Sequence, residues 1–165
     1  MRLAIVVPCY NEEKVLAESA KRLTGILQTL MEKKKVAENS FVLFVNDGSK
    51  DKTWTLIEEL FRNDKHVFGL SLALNRGHQN ALLAGLMSVK DICDAAVSID
   101  ADLQDDVDCI ESMVDAYAQG FDIVYGVRSS RKSDTFFKRT TALAFYRLMS
   151  CVYYVCLNIL IRHRK

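Results

Sequence analysis

Apolar residues in this chain fall into short, largely apolar blocks, and longer stretches of helical spacing separate them. Leu3-Ala4-Ile5-Val6-Val7 is the first block, stopped by Pro8; Phe41 to Val45 is a second, Val67 to Leu74 a third, Ala95 to Ile99 a fourth and Phe121 to Val127 a fifth. Blocks this short, rich in β-branched residues and apolar at most positions, predict strands covered on both faces, as in a parallel sheet. Between them, Leu16, Ala20, Leu23, Leu27, Leu30 and Met31 recur at helical spacing, closed by Lys33-Lys34-Lys35. Trp54, Leu56, Ile57, Leu60 and Phe61 mark a second helix, and the Ala-rich and Leu-rich stretch from about Gln79 to Val89 a third. Ile110, Met113, Val114 and Tyr117 mark a fourth, from about Val107 to the break at Gly120. Asn11 is expected to cap the first helix, with Glu12 and Glu13 favourable in its opening turn. Strand and helix alternate, which predicts an α/β fold with a mostly parallel sheet and right-handed crossovers.

Composition changes this picture little. At 165 residues, half hydrophobic and 26% charged, the chain is one domain's worth of ordinary globular protein. A net charge of +1 supplies no broad basic field, so nucleic acid is not an expected partner. Five scattered cysteines, an odd number without a metal-type pair, suit a reduced cytoplasmic setting better than a disulfide framework. The N-terminus opens on a strand pattern, and no signal peptide is expected. From about Ser129 the character shifts: Arg128, Arg131, Lys132, Lys138 and Arg139 form a basic stretch, and Ala142 to Ile161 is apolar apart from Arg147 and a few small polar residues. The expected division is therefore a sheet domain over 1–135, which carries the chemistry, and an apolar and basic helical tail over 136–165. With only about 14 uninterrupted residues after Arg147, that tail falls short of the ~20 of a clean membrane span. It suits packing, a membrane surface, or pairing with a second copy through 142–161.

The chemistry gathers where strands end. Tyr10, Asn11 and Glu12 follow the first strand, Asn46 and Asp47 the second, Asn75 and Arg76 the third, Asp100 and Asp102 the fourth. Singly, such residues are more often turns or caps; together they are expected to converge on one rim. Asp100 and Asp102 have little structural purpose as a pair flanking one alanine. If the backbone stays extended past Ile99, both leave on the same face, roughly 6 to 7 Å apart. Two hard oxygen ligands so placed can share Mg²⁺ or Mn²⁺ with a diphosphate. No Gly-x-Gly-x-x-Gly follows any strand, which removes support for a Rossmann dehydrogenase.

Five ordered segments carry a resemblance: Pro8-Cys9-Tyr10-Asn11-Glu12; Asn46-Asp47-Gly48-Ser49-Lys50-Asp51; Asn75-Arg76-Gly77-His78-Gln79-Asn80-Ala81 with Ala84-Gly85; Asp100-Ala101-Asp102-Leu103-Gln104-Asp105; and Tyr125-Gly126-Val127-Arg128. In order and at strand ends, over about residues 1–147, they resemble family 2 glycosyltransferases, most of all the polyprenyl-phosphate branch. The resemblance implies a GT-A fold and an inverting, metal-dependent transfer of sugar from a nucleotide sugar, UDP-linked before GDP-linked, to a polyprenyl phosphate at the inner face of the cell membrane. It implies Asp100 and Asp102 as the pair holding Mg²⁺ or Mn²⁺ against the donor diphosphate, with Gln104 and Asp105 beside the sugar. Pro8, Tyr10, Asn11 and Glu12 would line the base and ribose pocket, Asp47 and Asn46 would read the base edge, and Arg76 would lie near base or phosphate. Arg128, Arg131 and Arg139 match the region that grips the lipid phosphate.

The chain departs from that pattern in three places. Asn46 stands where the family usually has an acid, and Asp106-Val107 where prolines often follow, with Asp105 or Asp106 able to cap the next helix instead. The resemblance also stops before Cys151 to Lys165, whereas family members continue well past this length. A second reading therefore stands beside the enzyme: a non-catalytic nucleotide-sugar-binding fragment, or a subunit that depends on a partner. A sugar nucleotidyltransferase would need a Gly-rich, Arg-containing loop in place of Pro8-Cys9-Tyr10, and a haloacid-dehalogenase phosphatase would carry its aspartates after the first strand.

Overall fold

In a computed structural model of the chain, described for residues 1–102, 104 and 106–126, four strands and four helices alternate. They are β1 (Leu3–Cys9), α1 (Leu16–Glu32), β2 (Phe41–Asn46), α2 (Thr53–Asn63), β3 (Val67–Ser71), α3 (His78–Val89), β4 (Ala95–Ser98) and α4 (Cys109–Ala118). Every strand pairing is parallel, and the order is β3-β2-β1-β4. β1 is buried at every position because strands flank it on both edges and helices cover both faces.

Side chains alternate across the pleat, and the two faces build two cores. Leu3, Ile5, Val7, Val42 and Phe44 meet the apolar stripe of α1, Ile57 of α2, and Ile110 and Val114 of α4. Ala4, Val6, Leu43 and Val45 meet Ala81 and Val89 of α3. α3 sits close because Gly85 faces the sheet: a Cβ there would lie 2.5 Å from a Val6 methyl and 2.8 Å from one of Val45. Met1–Gly126 makes one compact unit.

The expected α/β fold is present, with four local corrections. Asn11 does not cap α1, which begins at Leu16; Asn11 adopts φ 58° and spends its side-chain oxygen on the Lys50 N–H instead. β3 stops at Ser71 rather than Leu74, because its partner β2 ends opposite it at Asn46. α4 begins at Cys109, after a turn in which the Asp106 carboxylate accepts the Asp108 N–H. The expected fifth strand does not form over its described part, 121–126, where Phe121, Ile123 and Tyr125 are exposed, Tyr125 by 81%. The basic and apolar stretches beyond Gly126, with Leu103 and Asp105, lie outside the described residues.

The lysines that close α1 reach α4. Lys33 and Lys35 pair with Glu111 at 2.7 and 2.8 Å, and Lys35 with Asp115 at 2.6 Å. Hydrogen bonds from Lys33, then Lys35, hold the Glu111 carboxyl down at about 2, from an ordinary value of 4.5. A carboxylate depressed by folding adds stability above its unfolded value and loses it as pH falls through the folded one. Glu111→Gln is expected to flatten the acid limb of the stability curve between about pH 4.5 and 2. Urea midpoints measured across that range check this; parallel acid limbs in parent and variant would contradict it.

Candidate functional site

The strand order dictates where a site belongs. β1, β2 and β3 run outward in one direction, and β4 returns to the other side of β1, so the crevice opens at the carboxyl ends of β1 and β4. A cavity of about 320 Å³ lies there. Pro8, Cys9, Tyr10 and Glu12 line it from the end of β1, Asp47 from β2, and Asp100, Ala101 and Asp102 from β4. Asn75, Gly77, His78 and Ala81 supply the remaining wall, where α3 begins.

The strand-like alternation persists past β4: Ile99 and Ala101 are buried, whereas Asp100 and Asp102 are exposed and line the cavity together. Asp102 accepts the Gln104 N–H at 3.1 Å, and Asp100 lies 3.5 Å from His78 Nε2. Burial first, then the negative charges of Asp102, Asp51 and Asp100, raise the pKa of Glu12. Burial, with Glu12 as a lesser cause, likewise pushes the Cys9 thiol up, so it lines the wall as a neutral group. Four carboxylates thus share one cavity, and no Lys or Arg is among the described residues that line it. Such a wall repels an anionic ligand unless a cation comes with it. Among the described residues no three His, Cys, Asp or Glu side chains form a ready ligand cluster, so a cation held by the pair would complete its shell with ligand or water oxygens. The first turn of α3 adds N–H groups without helical partners and the positive end of its dipole, both favourable to phosphate.

The loops that carry these groups are tied to one another. The N–H groups of Asn11, Glu12 and Glu13 donate to Ser49 Oγ, Thr53 Oγ1 and Asp51 Oδ2, while Asn11 Oδ1 and Glu13 Oε2 accept the N–H groups of Lys50 and Lys52. Burial alone would raise Asp51, but hydrogen bonds from Thr53 and Glu13 outweigh it and hold its carboxyl below the ordinary value. Asn46 is buried outside the cavity wall: its amide nitrogen donates to Ser71 Oγ at 2.9 Å and its oxygen accepts the Ser49 N–H. Asp47, 2% exposed, accepts the Arg76 N–H at 2.6 Å and the Gly77 N–H at 2.9 Å on its two oxygens, leaving one lone pair on each toward a ligand. Asp47→Ala would strand two backbone donors and is expected to cost about 2 to 3 kcal/mol, with Asp47→Asn costing roughly half as much. Urea unfolding measures both, and equal stability in all three proteins would show that loop 75–77 holds itself.

Of the residues singled out by sequence, the structure brings Pro8, Tyr10, Glu12, Asp47, Asp100 and Asp102 to one wall. Asn11, Asn46, Arg76 and Gln104 are not part of it; the first two build the rim, and Arg76 and Gln104 are exposed. Asp105, Arg128, Arg131 and Arg139 lie outside the described residues. Sequence reasoning gave no individual role to Ser49, Asp51, Thr53 or His78; Ser49, Asp51 and His78 stand within the ordered segments and Thr53 outside them, and what each contributes is a contact to another part of the rim.

Comparison with known proteins agrees with this geometry. The glycosyl transferase family 2 model matches residues 4–161. The uncharacterized glycosyltransferase YkoT of Bacillus subtilis is 57% identical over 148 residues, 90% of this chain and 44% of that protein. The bactoprenol glucosyl transferase of Shigella phage SfX is 38% identical over 148 residues, 90% of this chain and 46% of that protein. The chain therefore spans a little under half the length of these relatives. The crystal structure of Staphylococcus aureus TarS 1-349 superposes with a TM-score of 0.50 at 20% identity, covering 82% of this chain and 40% of that one, and shows the same GT-A fold. With the parallel sheet, the switch-point cavity and a family match over nearly its whole length, the chain belongs to glycosyl transferase family 2.

Proposed function

We propose that this chain binds the donor in a glycosyltransferase that moves a sugar from a nucleotide sugar, UDP-linked before GDP-linked, to a polyprenyl phosphate at the inner face of the membrane. The observation that carries the reading is the acid-walled cavity at the β1/β4 switch point, with Asp100 and Asp102 side by side on it. The lipid acceptor is supported by the relative named bactoprenol glucosyl transferase, which the chain matches over 90% of its own length. No described helix is long and apolar enough to cross a membrane; the membrane contact belongs, in this reading, to the basic residues Arg128, Arg131 and Arg139 and the apolar stretch 142–161.

In this mechanism Pro8, Tyr10 and Glu12 hold base and ribose, and the first turn of α3 steadies the phosphates through its N–H groups. Asp100 and Asp102 would hold Mg²⁺ or Mn²⁺, which when bound would neutralise charge growing on the departing nucleoside diphosphate. The family resemblance gives Gln104 and Asp105 the sugar, and the three arginines would orient the acceptor phosphate with forked guanidinium groups. A phosphate monoester with a second pKa near ~6 is already an anion at neutral pH, so it attacks without a strong general base. One direct displacement inverts the anomeric centre.

Calorimetry with UDP and GDP, each with and without Mn²⁺, tests the donor half. Metal-dependent binding of UDP exceeding that of GDP is the expected result, and no metal-dependent nucleotide binding would overturn the reading. Incubation with UDP-sugars and polyprenyl phosphate tests the rest. Transfer by this chain excludes the alternative of a non-catalytic, partner-dependent donor-binding unit, whereas metal-dependent donor binding without transfer favours that alternative.

A further inference from the structure

The buried stripe of α1 holds Leu16, Ala20, Leu23, Leu27 and Leu30, and among them one polar side chain, Ser19. Ser19 is fully buried, and a hydroxyl there is costly unless it is hydrogen-bonded. Its single hydroxyl proton is shared between two carbonyls, that of Val15 at 3.0 Å, the usual partner one turn back in a helix, and, across the core, that of Ala101. Ala101 is the buried residue between the two exposed carboxylates of the cavity. Pairing of β4 with β1 ends at Ser98, with one further bond from the Ile99 N–H to the Val6 carbonyl. Beyond that bond, Ser19 is what anchors the backbone of the aspartate pair to a helix.

We infer that Ser19 is a positioning residue for the cation clamp: its hydroxyl fixes the peptide that joins Asp100 to Asp102, so that both carboxylates engage one divalent cation together with a diphosphate. The inference rests on the donor-binding reading above. Ser19 itself touches neither cation nor nucleotide. A clamp held from below loses little fold when the tie is cut, because α1 keeps its apolar stripe, but loses the shared aim of its two carboxylates.

The test is the gain in UDP affinity that Mn²⁺ produces, measured by calorimetry on the full chain for the parent, Ser19→Ala and Asp102→Ala. Ser19→Ala is expected to reduce that gain about three- to tenfold, the worth of one buried hydrogen bond, while metal-free UDP affinity stays at the parent value. An unchanged gain in Ser19→Ala, with the gain lost in Asp102→Ala, would overturn the role of Ser19 and leave the donor-binding reading standing. Equal falls in metal-free and metal-bound affinity would also overturn it, since the hydroxyl would then serve packing alone. If Ser19→Ala does not fold, Ser19→Cys keeps the volume with a weaker donor: a reduced gain supports the role and an unchanged gain overturns it. Absence of any gain in the parent defeats the donor-binding reading itself, and this inference with it.

Discussion

Asp102→Ala is expected to lower the affinity for UDP in the presence of Mn²⁺ by at least about 100-fold, because losing a direct ligand should cost no less than losing the groups that orient one. The fold should not notice. Asp102 is exposed and accepts a local bond from the Gln104 N–H, so the variant belongs with surface substitutions that shift stability by about 0.5 kcal/mol or less. The charge of the wall changes as well. After burial, Asp102 is the largest cause of the raised pKa of Glu12, so Glu12 should titrate at lower pH in the variant. Affinity for UDP without metal should, if anything, rise, since one of the charges repelling the diphosphate has gone. Calorimetry with and without Mn²⁺ reads the first effect, and a carboxyl titration by NMR reads the second. If the metal-dependent affinity survives Asp102→Ala, the aspartate pair is not the cation site and the proposed chemistry falls with it.

Gly48→Ala should damage fold and site together. Gly48 has φ +64°, and a Cβ there would lie 2.6 Å from the Asn75 nitrogen and 2.8 Å from the Leu74 carbonyl carbon. These are backbone atoms, so no side chain can swing aside. The left-handed conformation costs a non-glycine residue about 1 kcal/mol, and forcing the two loops apart about 2 more. For a chain of this size, about 3 kcal/mol corresponds to a fall in Tm of roughly 6 to 12 °C. The displaced segment carries Asn75 and Gly77 of the cavity wall, so nucleotide affinity should fall in the folded fraction too. Gly25 is the internal control: a Cβ there meets nothing within 4 Å, and Gly25→Ala in mid-α1 should be neutral or slightly stabilising. Similar melting curves for the two variants would show that the close approach at Gly48 relaxes freely.

The strands were legible where burial on both faces wrote a continuous apolar run, as in Leu3–Val7 and Phe41–Val45, and the helices where a stripe such as Leu16, Ala20, Leu23, Leu27 and Leu30 faced the sheet. Over 121–126 the apolar residues suggested a strand that does not form, because an apolar run shows only that a segment can pair and not that its backbone does. Asn11 misled for a similar reason. An Asn after a strand suits a helix cap or a left-handed turn equally well, and the choice was made by Lys50, some forty positions away. In the site, charged residues at strand ends were readable because carboxylates without a structural purpose stand out. The hydroxyls of Ser19, Ser49 and Thr53 were not, since each accepts from or donates to backbone that sequence alone does not locate. Ser19 did leave a trace, as a polar residue on an otherwise apolar helical stripe.

The central position of β1 bears on how the chain acquires its site during synthesis. β1 meets β2 after about forty residues have been made, but Leu3 meets its β4 partner Ala95 only after more than ninety. The cavity lies across that second, far more distant junction, so an emerging chain can hold a folded three-strand half well before it can hold a nucleotide. If the proposed donor binds across that junction, closing the longest loop is the step it would assist by mass action.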